Sequence, residues 1–171
     1  MATKNWNDDF VSQIMDEAAW KVLSGEFLWN EQLLEKYQDK VDWKEVSDNR
    51  DMVWTASMLE KFRNRLDWDA LSRSRHRCVL TAELFERFRN NWNWSLLSGN
   101  DDVELSYELI DRFIDRWDWR ELINRYDDEL FGRDFLERYK EYIPASVLQD
   151  SRLWNRIVEQ RKWQIAREIT A

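Results

Sequence analysis

Apolar residues recur along this chain at two periods, a short one of three to four residues and a long one of about 25. Within a long period, apolar side chains follow a small polar residue at offsets of three, four, seven and eleven. In the first copy, Leu33, Leu34, Tyr37 and Val41 follow Asn30 in this way. Because spacings of three and four place side chains on one face of an α-helix, the pattern predicts a series of amphipathic helices.

The start of each helix is marked by residues that suit a helix N-terminus. Ser, Thr and Asn side chains accept hydrogen bonds from free backbone N–H groups, and an apolar residue before the cap packs on the fourth residue after it. The predicted N-caps are Asn30, Thr55, Thr81, Ser106 and Gly132, of which the glycine is the weakest. The apolar pairs are Trp29 with Leu34, Trp54 with Leu59, Leu80 with Phe85, Leu105 with Ile110 and Phe131 with Leu136.

A second motif in each repeat predicts a shorter helix. Its clearest copy reads Leu66-Asp67-Trp68-Asp69-Ala70-Leu71-Ser72. Its central residues, which advance by 25, 26, 25 and 26 residues, are Trp43, Trp68, Trp94, Trp119 and Ala145. The residues placed to cap this helix are Asp42, Asp67, Asn93, Asp118 and, in the fifth copy, Pro144. The Trp and the Leu or Val three residues later share one helix face, so we expect both to point into the core.

Repeats of this length cannot bury their apolar face alone and must stack on their neighbours. We therefore predict an all-α fold, an α-solenoid of about six short two-helix repeats with atypical terminal units. A single helical-repeat domain would span residues 1–171, with an N-terminal cap at 1–25, about five repeats at 26–149 and a C-terminal capping helix at 150–171.

The two ends follow the repeat less closely. A helix from Asp8 to Glu17 is predicted before another copy of the short helix at residues 19–24. Near the other end, Leu153-Trp154-Asn155 matches Leu28-Trp29-Asn30 and predicts a last helix running toward Arg167. Trp6 and Trp163 lie outside the repeat pattern.

The repeat resembles a known family of sequences. Leu66-Asp67-Trp68-Asp69-Ala70-Leu71-Ser72 and Leu80-Thr81-Ala82-Glu83-Leu84-Phe85-Glu86-Arg87-Phe88 are similar to the short Trp-containing helical repeats of giant-virus, phage and bacterial proteins, most of which have no assigned function. The resemblance covers residues 19–149. The Asn-Pro pair usual in the family's loop is replaced here by Asp48-Asn49 and Gly99-Asn100. The resemblance implies a helical repeat fold and carries no catalytic residues over to this chain.

The amino-acid composition favours a helical fold over an all-β fold and disfavours some classes of binding partner. Three Gly and one Pro leave few tight turns for an all-β fold. The 34 acidic and 26 basic residues give a net charge of −8, which disfavours binding to nucleic acid or to an anionic membrane. Cys78 is the only cysteine, so no internal disulfide can form. Without an apolar signal core or a run of about 18 apolar residues, we expect a cytoplasmic protein.

The chain offers little for catalysis. His76 is the only histidine and lies among three arginines. No Ser or Cys has a base at a diagnostic spacing, and no Gly-rich phosphate loop or metal-ligand motif is present. We therefore expect no enzyme activity, no cofactor and no metal site, while an unrecognised carboxylate site stays as an alternative. Nine of the twelve Trp occupy repeat positions, which predicts a role in the core rather than in a binding cage.

A column of basic residues is the candidate binding site. The cations that share one offset are Lys36, Lys61, Arg87, Arg112 and Arg138, and those one turn later are Lys40, Arg65 and Arg116. We call these eight residues the basic stripe. It has two interpretations, a groove for an acidic peptide or phosphate-bearing ligand, and a structural role in offsetting neighbouring acids and the negative end of each helix dipole.

Two functional hypotheses follow. The first is a non-enzymatic protein-interaction module, of the inhibitor, immunity or anti-defence type, that binds a protein partner. The second is sequestration of a small anionic ligand, such as a nucleotide, on the basic stripe and the aromatic rings beside it.

Overall fold

A computed structural model describes residues 8–126 and 129–170, with Asp8 described by its backbone alone, and every regular element within these ranges is an α-helix. The all-α repeat fold predicted from the sequence is confirmed. Trp6 lies outside the described residues. The helices are α1 (Asp8–Glu26), α2 (Glu31–Tyr37), α3 (Trp43–Asp48), α4 (Ala56–Lys61), α5 (Trp68–Ser72), α6 (Ala82–Arg87), α7 (Trp94–Ser98), α8 (Tyr107–Arg112), α9 (Trp119–Leu122), α10 (Arg133–Tyr139), α11 (Ala145–Leu148) and α12 (Arg152–Thr170).

The predicted caps form in both kinds of helix. Asn30 accepts a hydrogen bond from the N–H of Leu33 at the start of α2, and Asp42 accepts from the N–H groups of Lys44 and Glu45 at the start of α3. The other side chains that cap their helices are Thr55, Asp67, Thr81, Asn93, Ser106 and Asp118. Gly132 and Pro144 supply no side-chain cap to α10 and α11.

The longer helices end earlier than the apolar pattern predicts. In the first repeat, α2 stops at Tyr37, and Val41 lies in the turn that follows, although it is buried. The N–H groups of Lys40 and Val41 both bond to the carbonyl of Tyr37, which closes the helix with a tightened last turn. The three basic residues predicted one turn later in the basic stripe, which we call its second row, therefore lie in turns and not on a continuing helix; they are Lys40, Arg65 and Arg116.

The two terminal helices also differ from prediction. α1 is one helix through Glu26 instead of two, because Ala18 and Ala19 are strong helix formers and no Gly or Pro separates the segments. α12 is capped by Ser151, whose Oγ accepts the N–H of Trp154 at 3.1 Å. Asn155 consequently lies inside the helix, about one turn after its start.

The chain divides into two compact units, one ending at Val79 and the other beginning at Leu80. In the first unit α1 packs against α3 and α3 against α5, and in the second α7 packs against α9. Fully buried core residues of the first unit include Leu34, Val46, Leu59 and Leu71, and those of the second include Phe85, Leu97, Ile110, Phe113 and Leu122. The single-domain boundaries given above stay a prediction.

The nine Trp at repeat positions are all buried or half-buried, as a role in the core requires. Trp43 shows how the half-buried ones are held. Its indole N–H donates to the carbonyl of Gln38 at 2.9 Å, and its ring lies 4.9 Å from that of Phe62 in the next repeat. By contrast, Trp163 on α12 is 58% exposed.

Buried serines join short helices to the repeats that follow them. Ser47 is fully buried, and its Oγ donates to the carbonyl of Trp43 at 2.6 Å. The same Oγ accepts the N–H of Asp67, the cap of the next short helix, at 2.9 Å. Ser24 and Ser98 make the same pair of bonds within their own units. Successive repeats are thus joined through the residue that ends the Asp-Trp-x-x-Leu-Ser motif.

Candidate functional site

The first row of the basic stripe lies at the last turns of the longer helices, where Lys61, Arg112 and Arg138 contact acids of the preceding repeat. Lys61 Nζ lies 2.7 Å from Glu35 and 3.3 Å from Glu31. Arg112 Nε lies 3.6 Å from a carboxylate oxygen of Glu86, and Arg138 Nη2 lies 2.5 Å from one of Asp111. The partner of each cation is therefore the acid some 26 residues earlier and not its own neighbour in sequence.

The second row makes similar contacts. Arg65 donates to Asp39 at 3.1 Å and to the carbonyl of Gln38 at 3.1 Å. Arg116 donates to Asn90 at 3.5 Å. Aromatic rings also lie beside cations of the stripe, with Tyr37 near Lys36, Phe88 near Arg87 and Trp20 near Lys40. The contacts that cross between repeats, such as those of Lys61 and Arg65, give the stripe a role in joining repeats, and its role in binding stays a prediction.

One of these contacts includes a tyrosine and has a clear electrostatic consequence. The guanidinium of Arg138 bonds to Asp111 and holds the pKa of that carboxyl below its ordinary value, with a further bond from the hydroxyl of Tyr139. Burial, together with its hydrogen bond to Asp111, raises the pKa of Tyr139 to about 12. At neutral pH the arrangement is a neutral phenol and a carboxylate held by a cation.

The groove beside Lys40 is not suited to an anion. It has a volume of about 800 Å³ and lies between α1 and the turn after α2. Trp20, Lys21 and Lys40 line it, but so do four acids. The acids are Asp16, Glu17, Asp39 and Asp42. An aromatic-flanked groove therefore exists at one end of the basic stripe, but carboxylates outnumber its cations.

Within the described part of its unit, residues 8–79, nothing covers an apolar face of α1. Trp20 and Ser24 lie on the side of α1 that packs on α3. Ile14, Met15 and Val22 lie on the opposite side and are 43%, 65% and 58% exposed. Spacings of four, seven and eight residues place Ile14, Met15, Ala18 and Val22 on one face, so these exposed side chains form a continuous surface. We call these four residues the α1 face.

The loop after α5 forms a second basic site, separate from the stripe. Arg50, Arg73, Arg75 and His76 line one cavity of about 260 Å³, together with Ser74 and Asp48. The sequence places His76 among arginines, but Arg50 comes from the equivalent loop of the preceding repeat. Sequence reasoning missed Arg50, because only contacts between repeats bring the two loops together.

Over 8–126 and 129–170, no three His, Cys, Asp or Glu residues are grouped closely enough to hold a metal ion. In the same ranges no helix combines the length and apolar character that a membrane crossing needs. Comparison of the chain with family models, with curated proteins and with solved structures returns no match.

Proposed function

We propose that this protein is a non-enzymatic protein-interaction module and that the α1 face binds its partner. The observation that carries this proposal is the position of Ile14, Met15 and Val22, which are exposed on the side of α1 opposite its packing on α3. A grouped apolar surface of this kind on a water-soluble helix is typical of a protein-binding site.

The charge of α1 specifies the chemistry of the partner. The helix contains five acidic residues and one lysine. α1 is therefore strongly acidic, and its carboxylates favour a partner whose apolar surface is surrounded by Lys and Arg. The same carboxylates oppose binding to an anionic lipid surface. The partner we propose is a different protein chain with a basic-rimmed apolar groove.

Other surfaces of the protein are less suited to this role. Core positions are occupied by the apolar residues and Trp of the repeat. Cations of the basic stripe such as Lys61 and Arg138 contact carboxylates of the preceding repeat, so an acidic peptide would have to displace those contacts. The alternative function, capture of a small anion on the stripe, would meet the same competition.

The test uses variants of α1 against a purified partner. A protein recovered with the wild-type chain from its native source is purified, and the complex is reconstituted and measured by calorimetry. Met15→Gln with Val22→Gln should weaken binding at least tenfold, because the change removes two apolar contacts from the centre of the surface. Val53→Gln is the matched control, since Val53 is an exposed valine away from α1, and should leave binding unchanged.

The dependence of binding on the charge of α1 provides a further test. Glu17→Lys should also weaken the reconstituted complex, and added salt should reduce the difference between this variant and the wild type. A partner that binds all the α1 variants as tightly as the wild type would overturn the proposal.

Sedimentation of the purified chain tests whether α1 instead binds a second copy of this protein, because α12 carries five basic and two acidic residues and could meet the acidic α1. Self-association lost in Met15→Gln with Val22→Gln would overturn the assignment to a different chain.

A further inference from the structure

The cavity beside the loop after α5 collects positive charge that the repeat does not require. Counting from the buried serines Ser47 and Ser98, the residues equivalent to Arg73, Arg75 and His76 are Asp48, Arg50 and Asp51 in the preceding loop. In the following loop they are Gly99, Asp101 and Asp102. At the positions of Arg73 and His76 the neighbouring loops therefore fold with acidic or uncharged residues, and the following loop folds with an acid at the position of Arg75, so the basic character of this loop has no structural necessity.

Buried hydrogen bonds hold the two loops that form the cavity. Asn49 is 1% exposed, and its side-chain N–H₂ donates to the carbonyls of Ser24 and Phe27 at 3.2 and 2.9 Å. The backbone carbonyl oxygen of Asn49 lies 3.0 Å from Nε2 of His76. Because a carbonyl oxygen only accepts, Nε2 carries the proton in this contact, and Nδ1 is the second polar atom of the ring. Arg50, next to Asn49, is thereby fixed in the loop that faces His76.

The chemistry of the lining residues points to one ligand class. Arginine presents planar pairs of N–H donors that match the oxygens of phosphate, and Arg50 and Arg73 extend from exposed positions around the cavity. Ser74 adds a hydroxyl, while Asp48 is the one carboxylate in the lining. At about 260 Å³ the cavity is smaller than the range of about 300–1,000 Å³ usual for drug-sized ligands.

We propose that the cavity lined by Arg50, Arg73, Arg75 and His76 binds a phosphate-sized dianion. The recognised chemistry is a tetrahedral oxyanion, either free phosphate or the terminal phosphate of a small molecule. The residues that line the cavity include no Phe, Tyr or Trp, so we expect the oxyanion and not an attached base to determine affinity. This site is independent of the α1 face, and it places anion binding away from the basic stripe.

Titration with inorganic phosphate at constant ionic strength tests the site. Backbone ¹H–¹⁵N spectra should show saturable shifts at residues 73–77, with a Kd of about 1 mM or tighter. Arg50→Gln with Arg73→Gln should weaken phosphate binding at least tenfold, and calorimetry should give the same result. Asp48→Asn should strengthen binding several-fold, because it removes the opposing carboxylate without changing the shape of the loop.

The matched control separates this cavity from the stripe and from net charge. Lys36→Gln with Lys44→Gln removes two exposed positive charges from the same unit and should leave phosphate binding unchanged. Equal weakening in this control, or an absence of saturable shifts in the wild type, would overturn the proposal.

Titration with adenosine monophosphate distinguishes the two sources of the oxyanion. Affinity equal to that of phosphate supports a free phosphate, and tighter binding supports a phosphate carried by a larger molecule.

Discussion

At the residue scale, a buried serine at the end of a short helix joins that helix to the next repeat. Ser47 Oγ donates to one carbonyl and accepts one N–H while fully buried. Only a hydroxyl can do both in this space, because alanine has no polar atom and threonine would add a methyl group to a closely packed contact. The serine therefore satisfies the N–H of the next repeat's cap residue, which has no partner in its own helix.

Replacing this serine should destabilise the fold measurably. Ser47→Ala leaves the N–H of Asp67 without its buried partner, so the free energy of unfolding should fall by about 1–3 kcal/mol. Urea denaturation followed by circular dichroism measures the change. Ser12→Ala on the exposed side of α1 is the control and should change stability by less than about 0.5 kcal/mol. Equal losses in the two variants would contradict the proposed role of the buried hydroxyl.

At the scale of single elements, the helices between α1 and α12 are too short to be stable alone. α2 to α11 contain four to seven residues each, far below the roughly 12–15 residues that isolated helices need. Their stability comes from caps at the N-termini and from packing against neighbouring helices. α10 and α11 are exceptions at their starts, since neither Gly132 nor Pro144 supplies a side-chain cap.

The missing cap of α10 suggests a stabilising substitution. Gly132 has a φ of −161° and a ψ of −167°, an extended conformation that other residues adopt freely. An added Cβ would come no closer than 3.5 Å to the side chain of Gln160, an ordinary contact. Gly132→Ser should therefore raise the free energy of unfolding by about 0.5–1 kcal/mol, through a new cap and a less flexible unfolded chain. Gly132→Ala, which restricts the chain without a hydroxyl, should gain less in the same denaturation experiment.

At the scale of the whole molecule, basic side chains on the surface of this acidic protein join successive repeats. The net charge is −8, and Lys61 and Arg112 each face carboxylates of the preceding repeat within their own unit. Pairs this exposed are individually weak and are screened by salt. Their repetition along the chain keeps acids of neighbouring repeats from facing one another without a cation between them.

Charge reversal tests this role of the stripe. Lys61→Glu with Arg112→Glu places new carboxylates beside Glu35 and Glu86, so the midpoint of thermal unfolding should fall in low salt and recover partly in high salt. Lys36→Glu with Lys44→Glu makes the same change in net charge at exposed positions and should cause a smaller fall. Equal shifts in the two variants would show that net charge, and not the contacts between repeats, determines the effect.

The sequence determined those features of the protein that depend on neighbours within a few residues. Asn30 and Asp42 cap their helices as the sequence predicted, and Leu34 and Phe85 are fully buried where the apolar period placed them. Caps and helix faces are local, because their partners lie three or four residues away. The helix ends were predicted less well, because Val41 stays buried in the turn after its helix has ended.

Tertiary structure decided the features that join residues about 25 positions apart. It paired Lys61 with Glu35, gave Ser47 its partner at Asp67 and brought Arg50 to the loop of His76. The periodic pattern places each of these residues on the surface or at a helix end, but it does not say which residue of the next repeat lies opposite. That choice depends on the rotation and offset between stacked repeats, which packing of the buried side chains determines.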